Sequence, residues 1–408
     1  MPRPSAPEPG RLGELARLFL KLGVVAFGGP AAHVAMMEDE VVERRGWISR
    51  QHFLDLLGAT SLIPGPNSTE MTMHVGYERA GWRGLFVAGA CFIGPAVVIT
   101  GVLAALYVRY GTLPAAAAPL AGIQAAVLAV ILGALWKLGR KAVTGWPLAV
   151  LAAAVAAAVL AGVGEVPALL AGGVLGALAL RAVRRGADSG TAARWLPVLF
   201  LQRGAGAAAG GAAVGGVAAG AAVGAAAAVS LPKLFWFFLK VGSVLYGSGY
   251  VLVAFLEGGL VGELGWLTQA QLLDAIAIGQ FTPGPVLSTS TFVGYVVAAG
   301  AGLSPVAGAA VATLGMFLPS FLFVWLLNPL IPRLRSSAWL SAFLDAVNAA
   351  AVALMLAVTV QLGASTLVSW PAVLIAALAA VAVLRFKLSV VWVVLGGAAL
   401  GGALGAWM

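Results

Sequence analysis

Two short stretches hold the residues best suited to chemistry. Pro64-Gly65-Pro66 runs directly into Asn67, Ser68 and Thr69, and Pro283-Gly284-Pro285 is followed, after Val286 and Leu287, by Ser288, Thr289, Ser290 and Thr291. Proline lacks a backbone donor and its ring clashes with the preceding turn, so each triplet ends one helix and opens another. The first turn of the new helix has unpaired amides and the positive end of the helix dipole, here beside small hydroxyl or amide donors. That combination suits an anion. A kink with Ser/Thr caps would account for one copy; two copies, each trailed by donors, favour a shared anion site built from both.

The composition says where such breaks must sit. Of 408 residues, 61% are hydrophobic and 10% charged, and the mean hydropathy is +0.99. A soluble globular chain lies well outside this range. Runs such as Trp82 to Val108, Pro114 to Trp136, Ser304 to Leu330 and Ala338 to Leu362 reach the roughly 20 residues needed to cross about 30 Å of hydrocarbon. The fold class is therefore an all-α polytopic membrane protein. The helix-like segment Gln51 to Ile63 before the first triplet rises only about 20 Å, so it is expected to be a broken or re-entrant half-helix. Non-helical backbone persists at membrane depth only when buried in protein or lining a wet cavity, and two such breaks point to one cavity.

The chain repeats itself. A constant shift of 219 carries Lys21 onto Lys240, Gly28 onto Gly247, Glu38 onto Glu257, Gly46-Trp47 onto Gly265-Trp266, Asp55 onto Asp274 and the first Pro-Gly-Pro onto the second. This divides the chain into a polar N-terminal tail (1–14), a first transporter repeat (15–183), a basic and then Gly/Ala-rich linker (184–231) and a second repeat (232–408). The linker's Gly/Ala stretch is long enough to span but insertion-weak, so a weak extra helix competes with the linker reading. The first helix is read as an apolar stretch from Leu15 into Met36, retained in the mature protein because no small-residue cleavage site follows it.

The net charge of +9 comes from Lys and Arg in short loops, without the basic stripe that nucleic acid would require. With each Pro-Gly-Pro re-entrant, each half crosses five times. Ten crossings with the first residue outside then put most basic loops inside, with Arg109, Arg3 and Arg11 opposed. An odd number of crossings per half makes the repeat inverted. A rival with thirteen crossings starts inside and differs at the loop Met37 to Arg50. Cys91 is the only cysteine, which rules out an intrachain disulfide. His33, His52 and His74 lack repeat partners and are too far apart in sequence for a metal set, so no metal or cofactor is expected.

Among the charged residues, Lys21 and Lys240 could offer positive charge to a dianion, although lysines near helix ends more often snorkel to headgroups. Glu38, Glu257, Asp55 and Asp274 are candidate proton carriers; the two aspartates lie in the half-helices leading into the breaks. An intramembrane enzyme using Ser61 or Ser68 with His74 as base is a competing class, as is an anion channel. The second half keeps the break but has no histidine, which favours binding over catalysis.

"KLGVVAFGGP", then "PGP", then "HVGYERAGW" and "LYVRYG", with the set echoed in the second half, resemble the chromate ion transporter family in its long, two-domain form. The resemblance implies an inner-membrane protein that expels chromate from the cytoplasm and confers resistance, with chromate and the lipid bilayer as partners and a second copy of the chain as a candidate partner. It places the family's motifs on Phe27, Gly28, Gly29 and Pro30, on Pro64, Gly65 and Pro66, and on Gly76-Tyr77. In the second half they fall on Gly247, on Pro283, Gly284 and Pro285, and on Gly294-Tyr295. This chain departs at Tyr246-Gly247-Ser248-Gly249, where the first half has Phe-Gly-Gly-Pro, and at Gln280, where the first half has Ser61. Sulfate or another tetrahedral oxyanion is therefore the alternative substrate.

Overall fold

A computed structural model describes residues 10–27, 29–189, 228–327 and 337–405. Among these residues the secondary structure is entirely helical. The first half contains α1 (Arg11–Val25), α2 (Pro30–Glu38), α3 (Arg50–Thr60), α4 (Asn67–Tyr110), α5 (Pro114–Ala142), α6 (Trp146–Leu160) and α7 (Glu165–Ser189). The second half contains α8 (Leu231–Val244), α9 (Leu252–Leu256), α10 (Gln269–Phe281), α11 (Thr289–Gly300), α12 (Pro305–Leu327), α13 (Ala338–Thr366), α14 (Trp370–Leu384) and α15 (Val390–Ala403). Five helical stretches among the described residues, within α4, α5, α7, α12 and α13, are long and apolar enough to cross a membrane. The protein is a multi-pass membrane protein.

The first helix departs from the continuous run expected for Leu15 to Met36. It stops at Ala26, whose N–H bonds Leu22 O, and the chain restarts at Gly29 (φ 79) with Pro30 as the first residue of α2. Proline fits that first position because its missing donor would be unpaired there anyway. At 15 residues, α1 rises only about 22 Å. A second feature absent from the sequence reading divides α4 into two arms, because Ala80 and Gly81 leave helical geometry (Gly81 φ 61).

The outer ends of these pieces gather at one place. Glu14 on α1 pairs with Arg79 at 2.9 Å, His52 on α3 with Glu78 at 3.3 Å, and Arg50 with Glu38 at 3.1 Å. Arg45 and Arg79 both lie over the Trp47 ring. Thus α1 with α2, and α3 with the first arm of α4, form two helical hairpins that share an outer end, with their tips at Ala26–Gly29 and Pro64–Pro66.

The second half repeats these local features. A π-helical turn occupies Asp39–Arg44 and again Glu257–Glu263. Trp47 N–H bonds Val41 O at 2.8 Å, and Trp266 N–H bonds Leu260 O at 2.8 Å. The half-helix α3 starts on Ser49, whose side chain accepts from His52 N–H; its counterpart α10 starts on a capping box of Thr268 and Gln271. Small residues let helices approach closely, as dispersion packing in lipid requires. A Cβ on Gly23 would stand 2.7 Å from Phe92 O of α4, and one on Gly242 would overlap Met316 O of α12. The linker's Gly/Ala stretch, residues 204–227, lies outside the described residues.

Candidate functional site

The two Pro-Gly-Pro tips meet the opposite half reciprocally. Gly65 N–H donates to Leu245 O at 2.8 Å, and Gly284 N–H donates to Ala26 O at 2.9 Å. Ala26 and Leu245 are repeat counterparts, each at the end of the first helix of its half. Each break also lies on the long helix of the other half: Gly65 is against Ser320 of α12, and Gly284 is against Ala96 of α4. Pro64, Gly65 and Pro66 are buried, as are Pro283, Gly284 and Pro285. Four chain breaks therefore converge, two from each half.

This geometry revises which amides are free. Those of Gly65 and Gly284 are engaged across the halves, and those of Thr69 and Glu70 bond Pro66 O at 2.8 and 3.0 Å. The amides of Asn67 and Ser68, in the first turn of α4, are the ones that helix geometry leaves without an intrahelical acceptor.

His33 links the two tips. Its Nε2 is 3.0 Å from Ala26 O, the carbonyl that also receives Gly284 N–H, and its Nδ1 is 3.3 Å from Ser68 Oγ. With the proton on Nε2, the ring donates to Ala26 and the Ser68 hydroxyl donates to Nδ1. The ring is buried edge-on to Phe92. On the other side, Thr100 Oγ1 reaches Thr282 Oγ1 and Ser288 Oγ, each at 3.4 Å. Sequence reasoning missed Thr100 and Glu70 and gave His33 no role. Glu70 had a signal, a carboxylate four residues past the break in a membrane chain. His33 and Thr100 find their partners only through the fold.

Other sequence-derived candidates lie elsewhere. Lys21 pairs with Glu40 at 2.8 Å and keeps its side chain 58% exposed. Lys240 is exposed over the Phe237 ring. Neither ammonium contacts a break, because the long stem carries the charge outward. The Lys21 hydrogen bond holds the Glu40 carboxyl below the usual carboxylate range, so this pairing persists at neutral pH and is lost only as pH falls through that lowered value. Thr289 and Ser290 hydroxyls return to their own backbone at Val286 O and Leu287 O, not to the tips. Asn67 is half-buried and Thr69 buried. Gly29 caps α2, and Gly247 (φ 94) lies against Asn348 and Ala351. Gly28 is outside the described residues.

The acids separate as well. Glu38 is engaged with Arg50, Asp55 is half-buried on α3 and Glu257 is half-buried in its π-helical turn. Asp274 is buried, accepting from Tyr107 Oη at 2.8 Å and Gln124 Nε2 at 3.1 Å. Gln124 also lines a cavity of about 340 Å³ together with Gln269, Ser365, Thr366 and Ser369.

Comparison with known proteins gives this arrangement a family. The chromate transporter family profile matches residues 13–177 and 232–402, both halves of the chain. A chromate transport protein of Cupriavidus metallidurans is 32% identical over 399 residues, covering 96% of this chain and 92% of that one. A probable chromate transport protein of Synechococcus elongatus is 32% identical over 370 residues, 90% of this chain and 88% of its own. A chromate transport protein of Pseudomonas aeruginosa is 32% identical over 371 residues, covering 89% and 83%. No solved structure matches the chain significantly. The chain belongs to the chromate transporter family, whose signature spans both of its halves.

Proposed function

We propose that the protein exports chromate across the inner membrane and so confers chromate resistance, holding the anion where the hairpin tips of the two halves meet. The observation that carries this reading is the reciprocal pair of bonds from Gly65 to Leu245 and from Gly284 to Ala26. It joins all four breaks in one buried place, next to the first-turn amides of α4 and the hydroxyls of Ser68 and Ser288. Relatives named as chromate transport proteins support the choice of substrate; sulfate is the alternative tetrahedral dianion. Of the rival enzymatic nucleophiles, Ser61 bonds its own helix at Gly58 O. Ser68 faces His33, whose other nitrogen meets a carbonyl and not an orienting carboxylate.

The reading includes an inverted arrangement of the halves. Phe86, near the start of the second arm of α4, stacks on Phe321, near the end of α12. At the other end of α4, Tyr107 bonds Asp274 in the entering half-helix of the second repeat. An antiparallel pairing of the two long helices satisfies both contacts. In this arrangement α1 and α2 are re-entrant, so α1 is not a crossing, unlike the expectation of ten; each half then crosses four times, and the inversion calls for one further crossing between the halves, the weak extra helix that competes with the linker reading. The N-terminal end of α1 then shares the cytoplasmic face with Arg45, Arg50, Arg79 and Arg83. Arg11 no longer opposes the positive-inside rule. Asp274 and the cavity beside Gln124 belong to the outer path, with Asp274 a candidate proton carrier.

Direction follows from charge. An interior-negative potential contributes about 2.3 kcal/mol per charge per 100 mV, so a leaving dianion gains roughly 4.6 kcal/mol. Energised everted vesicles carrying the protein are expected to accumulate labelled chromate, with unlabelled sulfate a weak competitor. In a Cys91→Ser background, a cysteine placed by Arg44→Cys should react with an impermeant maleimide in everted vesicles and not in intact cells. Absence of chromate accumulation would overturn the substrate; labelling from outside would overturn the orientation.

A further inference from the structure

Three acids are buried among the described residues, and two of them are compensated. Glu40 has Lys21 and Arg45; Asp274 has Tyr107 and Gln124. Glu70 differs. It is 0% exposed, its Oε1 accepts only from Ser320 Oγ at 3.4 Å, and its Oε2 has no hydrogen-bond partner. A carboxylate buried in this way calls for a proton or another positive partner to offset its charge.

Its position gives that proton a role. Glu70 lies in the first turn of α4, two residues past Ser68, which supplies the second of the two amides that the fold leaves for an anion, and it backs onto the Gly65 tip. A carboxylate there and a bound dianion would repel each other in a water-poor site where charges are weakly screened. The groups around it are a phenol, a hydroxyl and two imidazoles. Tyr246 faces it from the second half, Ser320 is a neutral hydroxyl, and His74 lies one turn along the same helix. His33 reaches the region only through Ser68. The cations Lys21 and Arg79 lie at the outer end of the hairpins, paired with Glu40 and Glu14. A metal ion fits poorly. No cluster of three His, Cys, Asp or Glu exists among the described residues.

We propose that Glu70 is the proton-binding group that licenses anion binding, so that one proton and one chromate travel through the protein together; the proposal rests on the transport reading above. The repeat makes the site asymmetric. Aligning Gly76-Tyr77 with Gly294-Tyr295 carries Glu70 onto Ser288, a hydroxyl near Thr100, so the paired tips share a single acid. Each dianion then moves with one net negative charge, not two.

The test uses the full-length protein in liposomes with labelled chromate, equal pH on both sides and a set potassium diffusion potential. For a tenfold chromate gradient, net flux of the wild type should vanish at about 59 mV, the value for one charge, and that of Glu70→Gln at about 30 mV, the value for two. Apparent chromate affinity of the wild type should fall about tenfold per pH unit once Glu70 ionises, while that of Glu70→Gln stays flat relative to it. The anion's own protonation acts on both proteins alike and cancels in this ratio. If Glu70→Gln does not fold, Glu70→Ser, which copies the residue at the matching place in the second half, is measured in its stead and should also show its null at about 30 mV. A wild-type null at about 30 mV, a Glu70→Gln protein that keeps the wild-type pH response, or a strict sodium requirement would each overturn the proposal while leaving chromate transport standing. Wild-type liposomes that carry no chromate would remove the transport reading and this inference with it.

Discussion

Replacing Gly65 by alanine is expected to abolish transport, whereas the same change at Gly284 should leave a measurable fraction. Both glycines have positive φ, 143° and 88°, so alanine is strained at either position. The surroundings differ. A Cβ at Gly65 would overlap Glu70 Oε1 and Ser320 Oγ, two buried side chains from different halves, while at Gly284 the nearest atom is Ala96 Cβ at 3.0 Å. Overpacking added to backbone strain should cost about 2 to 5 kcal/mol at Gly65, against roughly 1 to 2 kcal/mol of strain alone at Gly284. Everted-vesicle flux, normalised to the folded protein recovered by size exclusion in detergent, separates lost function from lost fold. Equal effects at the two positions would contradict this description of the tips.

The second large effect is expected where the arms of each long hairpin cross. A Cβ on Gly76 would overlap Gly84 O in the other arm of α4, and one on Gly294 of α11 would overlap Gly308 O of α12; Ala88 and Ala312 close the same gaps. The obstacle in each case is a backbone carbonyl, which cannot rotate aside as a side chain can. Leucine at Gly76 or Gly294 should therefore cost more than about 3 kcal/mol and bring recovered folded protein close to zero. Gly94→Leu, where nothing lies within 4 Å of the added carbon, should behave as wild type. Recovery of either crossing variant at wild-type yield would show that these hairpins do not pack as described.

The sequence carried the repeat clearly, because turns and breaks need particular residues. Pro-Gly-Pro, Gly46-Trp47 with Gly265-Trp266, and the paired aspartates stand out in an otherwise apolar background. The half-helices α3 and α10 follow from their length and from the prolines that end them. The break at Ala26–Gly29 was hidden for the opposite reason: its residues are as apolar as the helices they separate, and the second half has no proline at the matching place. Lys21 read as a candidate ligand because its partner Glu40 is nineteen residues away and reaches it only when α2 folds back along α1. His33 and Thr100 are beyond sequence patterns altogether, since what gives them meaning is a carbonyl at the end of α1 and a break contributed by the other half.

The most direct test of the meeting tips is an experimental structure with chromate bound. Chromium density is expected enclosed between the Pro64–Pro66 and Pro283–Pro285 corners, within hydrogen-bonding reach of the Asn67 and Ser68 amides. Chromate seated instead in the cavity beside Gln124, or corners that face lipid with no enclosed space between them, would contradict it.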